Sequence, residues 1–267
     1  MKCFRRVFIW IISIFIIFFL LIYIMNQKDA IMESYNKNCC IKINNKKITI
    51  FNDRKEKLDL YILKMRAKEY SIGDIDGDKS DELILLTKGR NRWGKEIIVF
   101  KLTDEIKEIY REDFSSLKPW KLALGDIDGD GKSEVSIGVY KKTPFHQVMA
   151  KRPFIYSFEN NRLLPKWRGS RLSKPFTDYI FYDIDGDGID EILSIEILSN
   201  KEKVLNTYKW EGFGFQGFLE SKSFTDIRDL KVMDDSVYVE VKDKRNVYRG
   251  EVKIKDNKLI IEGVNIK

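Results

Sequence analysis

A chain of 267 residues with 48 Lys and Arg against 41 Asp and Glu carries a net charge of +7, and its lysines are scattered with no long run. Nucleic-acid binding wants a concentrated basic stripe, so no nucleic-acid partner is expected. One histidine and three cysteines leave too few nitrogen and sulfur ligands for zinc chemistry, whereas 43% hydrophobic and 13% aromatic residues are enough for a folded core.

Residues 1–6 form a cytoplasmic basic tail containing Lys2, Arg5 and Arg6. Val7 to Met25 then runs nineteen residues without a charge, with only Ser13 polar. As a helix it would span about 28 Å, enough for a bilayer core of about 30 Å. Basic residues on its N-terminal side keep that end cytoplasmic and put the rest outside. A cleaved signal peptide has a shorter apolar core, roughly 7 to 15 residues, followed by small residues. This run is longer and ends in Tyr23-Ile-Met-Asn-Gln-Lys28. The sequence therefore predicts an uncleaved signal anchor over 7–25, a single pass through the cell membrane, and an extracytoplasmic C-terminal domain. Without the three cytoplasmic basic residues that outer part carries 45 positive and 41 negative charges, a mild excess.

Residues 26–40 read as a juxtamembrane linker. It ends in the adjacent Cys39 and Cys40, which cannot form an ordinary long-loop disulfide with each other; an intermolecular bridge and free thiols are both compatible with the sequence. Ile41–Phe51 and Leu58–Met65 then look like two or three strands, either a degenerate first repeat or strands that close a ring.

Three copies of one acidic loop follow: Asp74-Ile-Asp-Gly-Asp-Lys-Ser-Asp-Glu82, Asp126-Ile-Asp-Gly-Asp-Gly-Lys-Ser-Glu134 and Asp183-Ile-Asp-Gly-Asp-Gly-Ile-Asp-Glu191. Carboxylates at positions 1, 3, 5 and 9, with glycine at 4 and usually 6, can converge several oxygens on one hard cation, and calcium accepts six to eight oxygens in flexible geometry. Four carboxylates so close together repel one another without a cation. An EF-hand would need glycine at 6, Glu at 12 and flanking helices; the twelfth positions are Leu85, Ile137 and Ser194, and the flanks are strand-like. Lys79 stands where the other loops have Gly131 and Gly188, which weakens the first copy. The copies begin 52 and 57 residues apart and each leads into an apolar run, so a repeat architecture is expected.

Leu124-Gly-Asp-Ile-Asp-Gly-Asp-Gly-Lys-Ser-Glu-Val135, echoed by Ile72-Gly-Asp-Ile-Asp-Gly-Asp78 and Tyr182-Asp-Ile-Asp-Gly-Asp-Gly188, resembles the FG-GAP or VCBS repeats, best described in the β-propeller of integrin α subunits. The resemblance implies that each loop joins the first two strands of a propeller blade and binds calcium. Up to three Ca²⁺ ions would be held by Asp74, Asp76, Asp78 and Glu82; by Asp126, Asp128, Asp130 and Glu134; and by Asp183, Asp185, Asp187 and Glu191. The chain departs from the family in carrying Glu at position 9, where the integrin loops have Asp.

The repeat extends beyond the loops. Sixteen residues before loops two and three stand Tyr110 and Trp167, each followed by Arg, and Leu117-Lys-Pro-Trp120 returns as Leu172-Ser-Lys-Pro-Phe176. Phe176-Thr-Asp178 returns as Phe224-Thr-Asp226, announcing a unit whose loop has shrunk to Met233-Asp-Asp235. Alternation suited to half-buried strands recurs at Ile97–Leu102, Phe154–Phe158, Val204–Tyr208 and Val237–Val241. Turns such as Glu159–Arg162, Glu211–Gly214 and Lys255–Lys258 separate strand pairs. Four short strands per fifty residues or so predict an all-β chain, a β-propeller of four to five four-stranded blades with five favoured, covering 41–267. The repeat units lie near 69–119, 120–175, 176–223 and 224–267.

Catalysis finds little support. His146, the only histidine, lies in a Lys/Thr/Pro segment without a nucleophile motif. Trp93, Trp120, Trp167 and Trp210 recur about once per repeat, as packing residues or as a carbohydrate-stacking face. The expected function is a membrane-anchored, calcium-binding interaction module with a protein or cell-envelope glycan as ligand. The alternative is a cell-surface polysaccharide-active enzyme with an acidic site on the propeller.

Overall fold

The computed structural model describes residues 31–36, 39–103, 105–169 and 171–264. The expected anchor over 7–25 lies outside them; among the described residues no helix is long and apolar enough to cross a membrane. The chain is all-β, with five four-stranded sheets whose strands follow one another in sequence order.

It divides into two compact units. The first contains β1 (Ile31–Asn36), β2 (Cys39–Asn44), β3 (Lys47–Asn52) and β4 (Lys57–Ile62). Ile41, Ile43, Ile48 and Ile50 are buried and alternate with more exposed neighbours, as the two-residue period of a strand demands. The stretch 26–40, expected as a linker, contains β1, whose backbone pairs antiparallel with β2 from Ile31↔Ile43 to Asn36↔Cys39. Its sequence, Ile-Met-Glu-Ser-Tyr-Asn, lacks the β-branched run that signals a strand; the ladder with β2 supplies the order instead. Cys39 and Cys40 are free and half-buried on β2.

The second unit holds the other four sheets: β5 (Ala67–Gly73), β6 (Glu82–Lys88), β7 (Gly94–Leu102) and β8 (Ile106–Asp113); β9 (Lys121–Gly125), β10 (Glu134–Thr143), β11 (His146–Glu159) and β12 (Arg162–Trp167); β13 (Phe176–Tyr182), β14 (Glu191–Ile197), β15 (Lys203–Trp210) and β16 (Phe215–Glu220); and β17 (Asp226–Met233), β18 (Ser236–Asp243), β19 (Asn246–Lys255) and β20 (Lys258–Gly263). In the first three, the second strand is buried almost throughout, as in Glu82–Thr87, Glu134–Val139 and Glu191–Glu196. Such strands have neighbours on both faces and read as continuous apolar runs rather than alternating ones.

Consecutive sheets of this unit pack face to face. Ile84, Leu86, Ile97 and Val99 meet Ile137, Val139, Phe154 and Phe158. Ala123 and Ile155 meet Phe176, Tyr179, Phe181 and Ile192. Leu193, Ile195 and Leu205 meet Ile227, Val237, Val239 and Val241. Tight turns are set by residues that tolerate left-handed backbone: Asn160 and Asn161, Asp234 and Asp235, Asp256 and Asn257 all have positive φ. The tryptophans take part in packing. Trp120 lies edge-on to Tyr179, Trp167 edge-on to Phe215, and Trp93 stacks on Tyr140 at 5.1 Å.

Gly125, at the end of β9, lies close against β13 of the following sheet. A Cβ there would lie 2.4 Å from Cβ and 2.5 Å from Cγ of Phe181, whose ring is held among buried neighbours. Gly125→Ala should therefore destabilise the protein by about 1–3 kcal/mol through overpacking. Urea unfolding should show a lower midpoint with an unchanged slope.

Candidate functional site

Each acidic loop connects the first strand of its sheet to the second, and the three share one hydrogen-bond scheme. The position-1 carboxylate closes the turn. One oxygen of Asp74, Asp126 and Asp183 accepts the N–H of Gly77, Gly129 and Gly186, each at 2.7 Å; the other accepts the N–H of Lys79, Gly131 and Gly188 at 2.8, 2.8 and 2.9 Å. Asp78, Asp130 and Asp187 at position 5 cap the amide two residues on. At position 9, Glu82, Glu134 and Glu191 accept the position-2 amides of Ile75, Ile127 and Ile184 at 3.2, 3.1 and 3.1 Å.

Positions 4 and 6 both need left-handed backbone. Gly77, Gly129 and Gly186 supply it at position 4, Gly131 and Gly188 at position 6, and Lys79 adopts φ 67° in the first loop. Lys79 thus keeps the loop shape, at a strain cost of about 1 kcal/mol.

One oxygen from each of Asp74, Asp76 and Asp78, from Asp126, Asp128 and Glu134, and from Asp183, Asp185 and Glu191 lies within 4.8 Å of the others in its group. Glu82, Asp130 and Asp187 fall outside these trios. The spacing suits a cation bound at 2.3–2.6 Å, since two ligands on opposite sides of it are about 5 Å apart. The donors are hard carboxylate oxygens, as calcium prefers. The second loop also opens onto a cavity of about 390 Å³ lined by Asp128, Asp130, Glu134, Ser157 and Lys166.

Three lysines absent from the sequence-derived site lie among these acids. Lys101 Nζ hydrogen-bonds Asp78 and lies 3.4 Å from Asp76 and 3.9 Å from Glu82. Lys166 Nζ lies 2.5 Å from Asp128 and 2.7 Å from Glu134. Lys209 Nζ lies 2.6 Å from both Asp185 and Asp187 and 3.4 Å from Glu191. Lys101 faces Glu82 directly across the β6–β7 ladder, and Lys209 follows Tyr208, which pairs with Ile192, so it stands opposite Glu191. In the middle sheet that place belongs to Ser157, because Val135 pairs with Tyr156. There the ammonium comes from β12 instead: Ile155 pairs with Trp167 and Tyr156 with Pro165, leaving Lys166 as the extra residue of a bulge, a device that re-aims a side chain. A lysine eighteen or nineteen residues past the position-9 Glu was a readable signal for loops one and three; the bulged Lys166 left none.

The position-9 glutamates are 0%, 3% and 1% exposed. Burial pushes Glu82 and Glu191 up to about 7, opposed by the amides of Ile75 and Ile184, and burial also raises Glu134. Oε1 of Glu82 and of Glu191 is buried and accepts no hydrogen bond. Lys101 is held charged above its usual range by its hydrogen bond to Asp78; Lys209 is too, its bonds to Asp185 and Asp187 outweighing burial.

The loops are also joined to one another. Ser133 N–H of loop two donates to the Asp74 carbonyl, and Asp190 N–H of loop three donates to the Asp126 carbonyl, each at 2.8 Å. The Asp190 carboxylate accepts Asp126 N–H in return at 2.9 Å. Beyond loop three, the Tyr182 hydroxyl donates to the carbonyl of Asp235 in the short β17–β18 turn.

A second concavity of about 370 Å³ is lined by Glu69, Trp120, Lys121, Asp178, Lys203 and Arg228, among others. Its acids are engaged: Lys121 bonds Asp178 at 2.6 Å, while Glu69 accepts Leu122 N–H and the Lys68 ammonium. His146 begins β11, with Nδ1 3.0 Å from Arg152 Nη2.

Because Glu191 holds its proton up to about 7 when folded and to 4.5 ordinarily, its contribution to stability is complete below about 4.5 and declines as pH rises through about 7. In chelator, Glu191→Gln should remove that decline from the difference between variant and wild-type melting curves, as followed by circular dichroism over this pH range.

No family model and no curated protein sequence matches the chain. Among solved structures it is similar to a Bacteroides fragilis protein described as a "putative 6-phosphogluconolactonase", at 11% identity and a TM-score of 0.49, over 87% of this chain and 68% of that one.

Proposed function

We propose that this protein is a membrane-anchored, extracytoplasmic β-propeller of the FG-GAP or VCBS kind, with five four-stranded blades and acidic loops that take up Ca²⁺, serving as a binding module. The observation that carries the metal reading is the threefold recurrence of one loop geometry, with carboxylate oxygens at cation-binding spacing and a buried position-9 oxygen lacking a hydrogen bond in two of the three. The propeller reading draws support from loops that join first to second strands and from face-to-face packing of consecutive sheets in the second unit. Hydrolysis is the weaker reading, because the cavity's Glu69 and Asp178 are tied to neighbouring lysines and amides.

An entering ion has to displace the resident ammonium, so Lys101, Lys166 and Lys209 set how tightly calcium binds. Bound calcium stabilises the folded state by RT ln(1 + [L]/Kd), about 2.7 kcal/mol when the ion is at about a hundred times its dissociation constant. Titration calorimetry on chelator-treated protein should show uptake of Ca²⁺, with Mg²⁺ a poor substitute because it keeps its waters and demands a smaller shell. Asp128→Ala and Asp185→Ala should each remove one site and part of the rise in melting temperature. Absence of both binding heat and any melting shift would leave the loops as lysine-neutralised turns and end the metal reading.

Lys209→Gln tests the displacement separately. It should tighten calcium binding at loop three about tenfold, or about 1.4 kcal/mol, while lowering the melting temperature in chelator. Unchanged affinity would mean that the ammonium leaves without cost.

A further inference from the structure

The hairpin of β10 and β11 extends past its own sheet. β9 pairs with β10 only as far as Gly138, and β12 pairs with β11 only from Ile155 onward. Between them Val139↔Arg152, Tyr140↔Lys151, Lys141↔Ala150 and Thr143↔His146 form a two-stranded ribbon. Such ribbons are marginal alone, and this one is braced from within. Arg152, 0% exposed, donates Nε to the Lys141 carbonyl at 2.9 Å and Nη2 to the carbonyls of His146 and Val148 at 3.2 and 2.9 Å. Among the described residues no carboxylate pairs with it. A buried cation thus holds the shape of a hairpin whose tip presents Phe145, 93% exposed, and Val148, 57% exposed.

The β6–β7 loop stands beside it, with Trp93 stacked on Tyr140 and Arg92 4.6 Å above the Trp93 ring. Residues 87–95 and 140–152 together contain no Asp or Glu. Lys88, Arg90, Arg92, Lys141 and Lys142 are exposed or half-exposed, and no ion pair engages any of the five among the described residues. An uncompensated basic set on the ribbon and on the loop packed at its base, together with an exposed aromatic tip, suits an anionic bilayer surface, where phosphates meet the cations and the ring enters the boundary with the acyl chains. A hydrated polyanion would satisfy the basic residues but give the bare ring nothing.

We infer that the β10–β11 hairpin docks this protein onto an anionic lipid bilayer, with Phe145 entering the headgroup–acyl boundary and Lys88, Arg90, Arg92, Lys141 and Lys142 lying on lipid phosphates. The contact is separate from the expected N-terminal anchor and from the acidic loops, and it fixes which end of the second unit meets the membrane.

The test uses the full chain carrying Phe145→Trp, reconstituted into vesicles of phosphatidylcholine alone or mixed with phosphatidylglycerol, with brominated acyl chains as quenchers. The emission that the variant adds over wild type should be quenched in the anionic vesicles and restored to more than half its unquenched intensity by Lys141→Glu/Lys142→Glu or by high salt. An added emission that stays unquenched in both lipids overturns the inference, and so does equal quenching in both. Protection of the tip from an aqueous quencher by inorganic polyphosphate, without bromolipid quenching, would assign the patch to a soluble polyanion and also overturn it. Circular dichroism of both variants guards against a misfolded ribbon.

Discussion

Three of the four sheets in the second unit turn on a carboxylate that accepts two amides from its own loop. Once Asp74, Asp126 or Asp183 has bound the N–H groups at positions 4 and 6, the chain has turned back within nine residues and the position-9 glutamate is the first residue of the next strand. The same glutamate binds the position-2 amide and so ties the start of the second strand to the loop that produced it. Local hydrogen bonds of this kind form at low entropy cost because the partners are close in sequence. They fix the register of a buried strand, which a one-residue slip would turn inside out.

Charge balance in these loops is subtler than a count of acids implies. Repulsion among four carboxylates requires a cation but not a dissolved one, and a lysine on a neighbouring strand meets the requirement at each loop. The arrangement at the middle sheet is the most informative. With Ser157 in the place opposite Glu134, the ammonium is supplied by a different strand through a bulge, so the same electrostatic outcome is reached by a different backbone route. The glutamate side chain at position 9 is long enough to bind the position-2 amide through one oxygen and face such a lysine with the other.

Much of the fold is legible because its signals are local. The Asp-x-Asp-Gly-Asp loops announce the three turns, the recurrence of Phe-Thr-Asp at Phe176 and Phe224 announces the unit without a loop, and the apolar runs after each glutamate announce the buried second strands. Of the twelve acids named from the sequence, nine fall in the three clusters, while Glu82, Asp130 and Asp187 fall outside them. What sequence could not give depends on pairing between distant segments. β1 has no strand-like composition and owes its order to β2. Lys101 and Lys209 recur at nearly the same distance past Glu82 and Glu191, but the ladder is what sets them across from those acids, and Lys166 has no such signal without the bulge. Asp190 reads as one more loop acid, yet it bonds the amide of a residue 64 positions earlier.

That last bond, with the carbonyl contacts on either side of it, has a dynamic consequence. Loop one is stitched to loop two and loop two to loop three by backbone amides, and Tyr182 ties the far end to the turn of the following sheet. No loop in this row can swing open without exposing a polar group of its neighbour, so the natural unit of local unfolding is the row rather than the single turn. Slow solvent exchange at the amides of Ser133, Asp126 and Asp190 would then rise and fall together, and an event at one end of the row would be felt at the other as a change in how often the whole edge breathes.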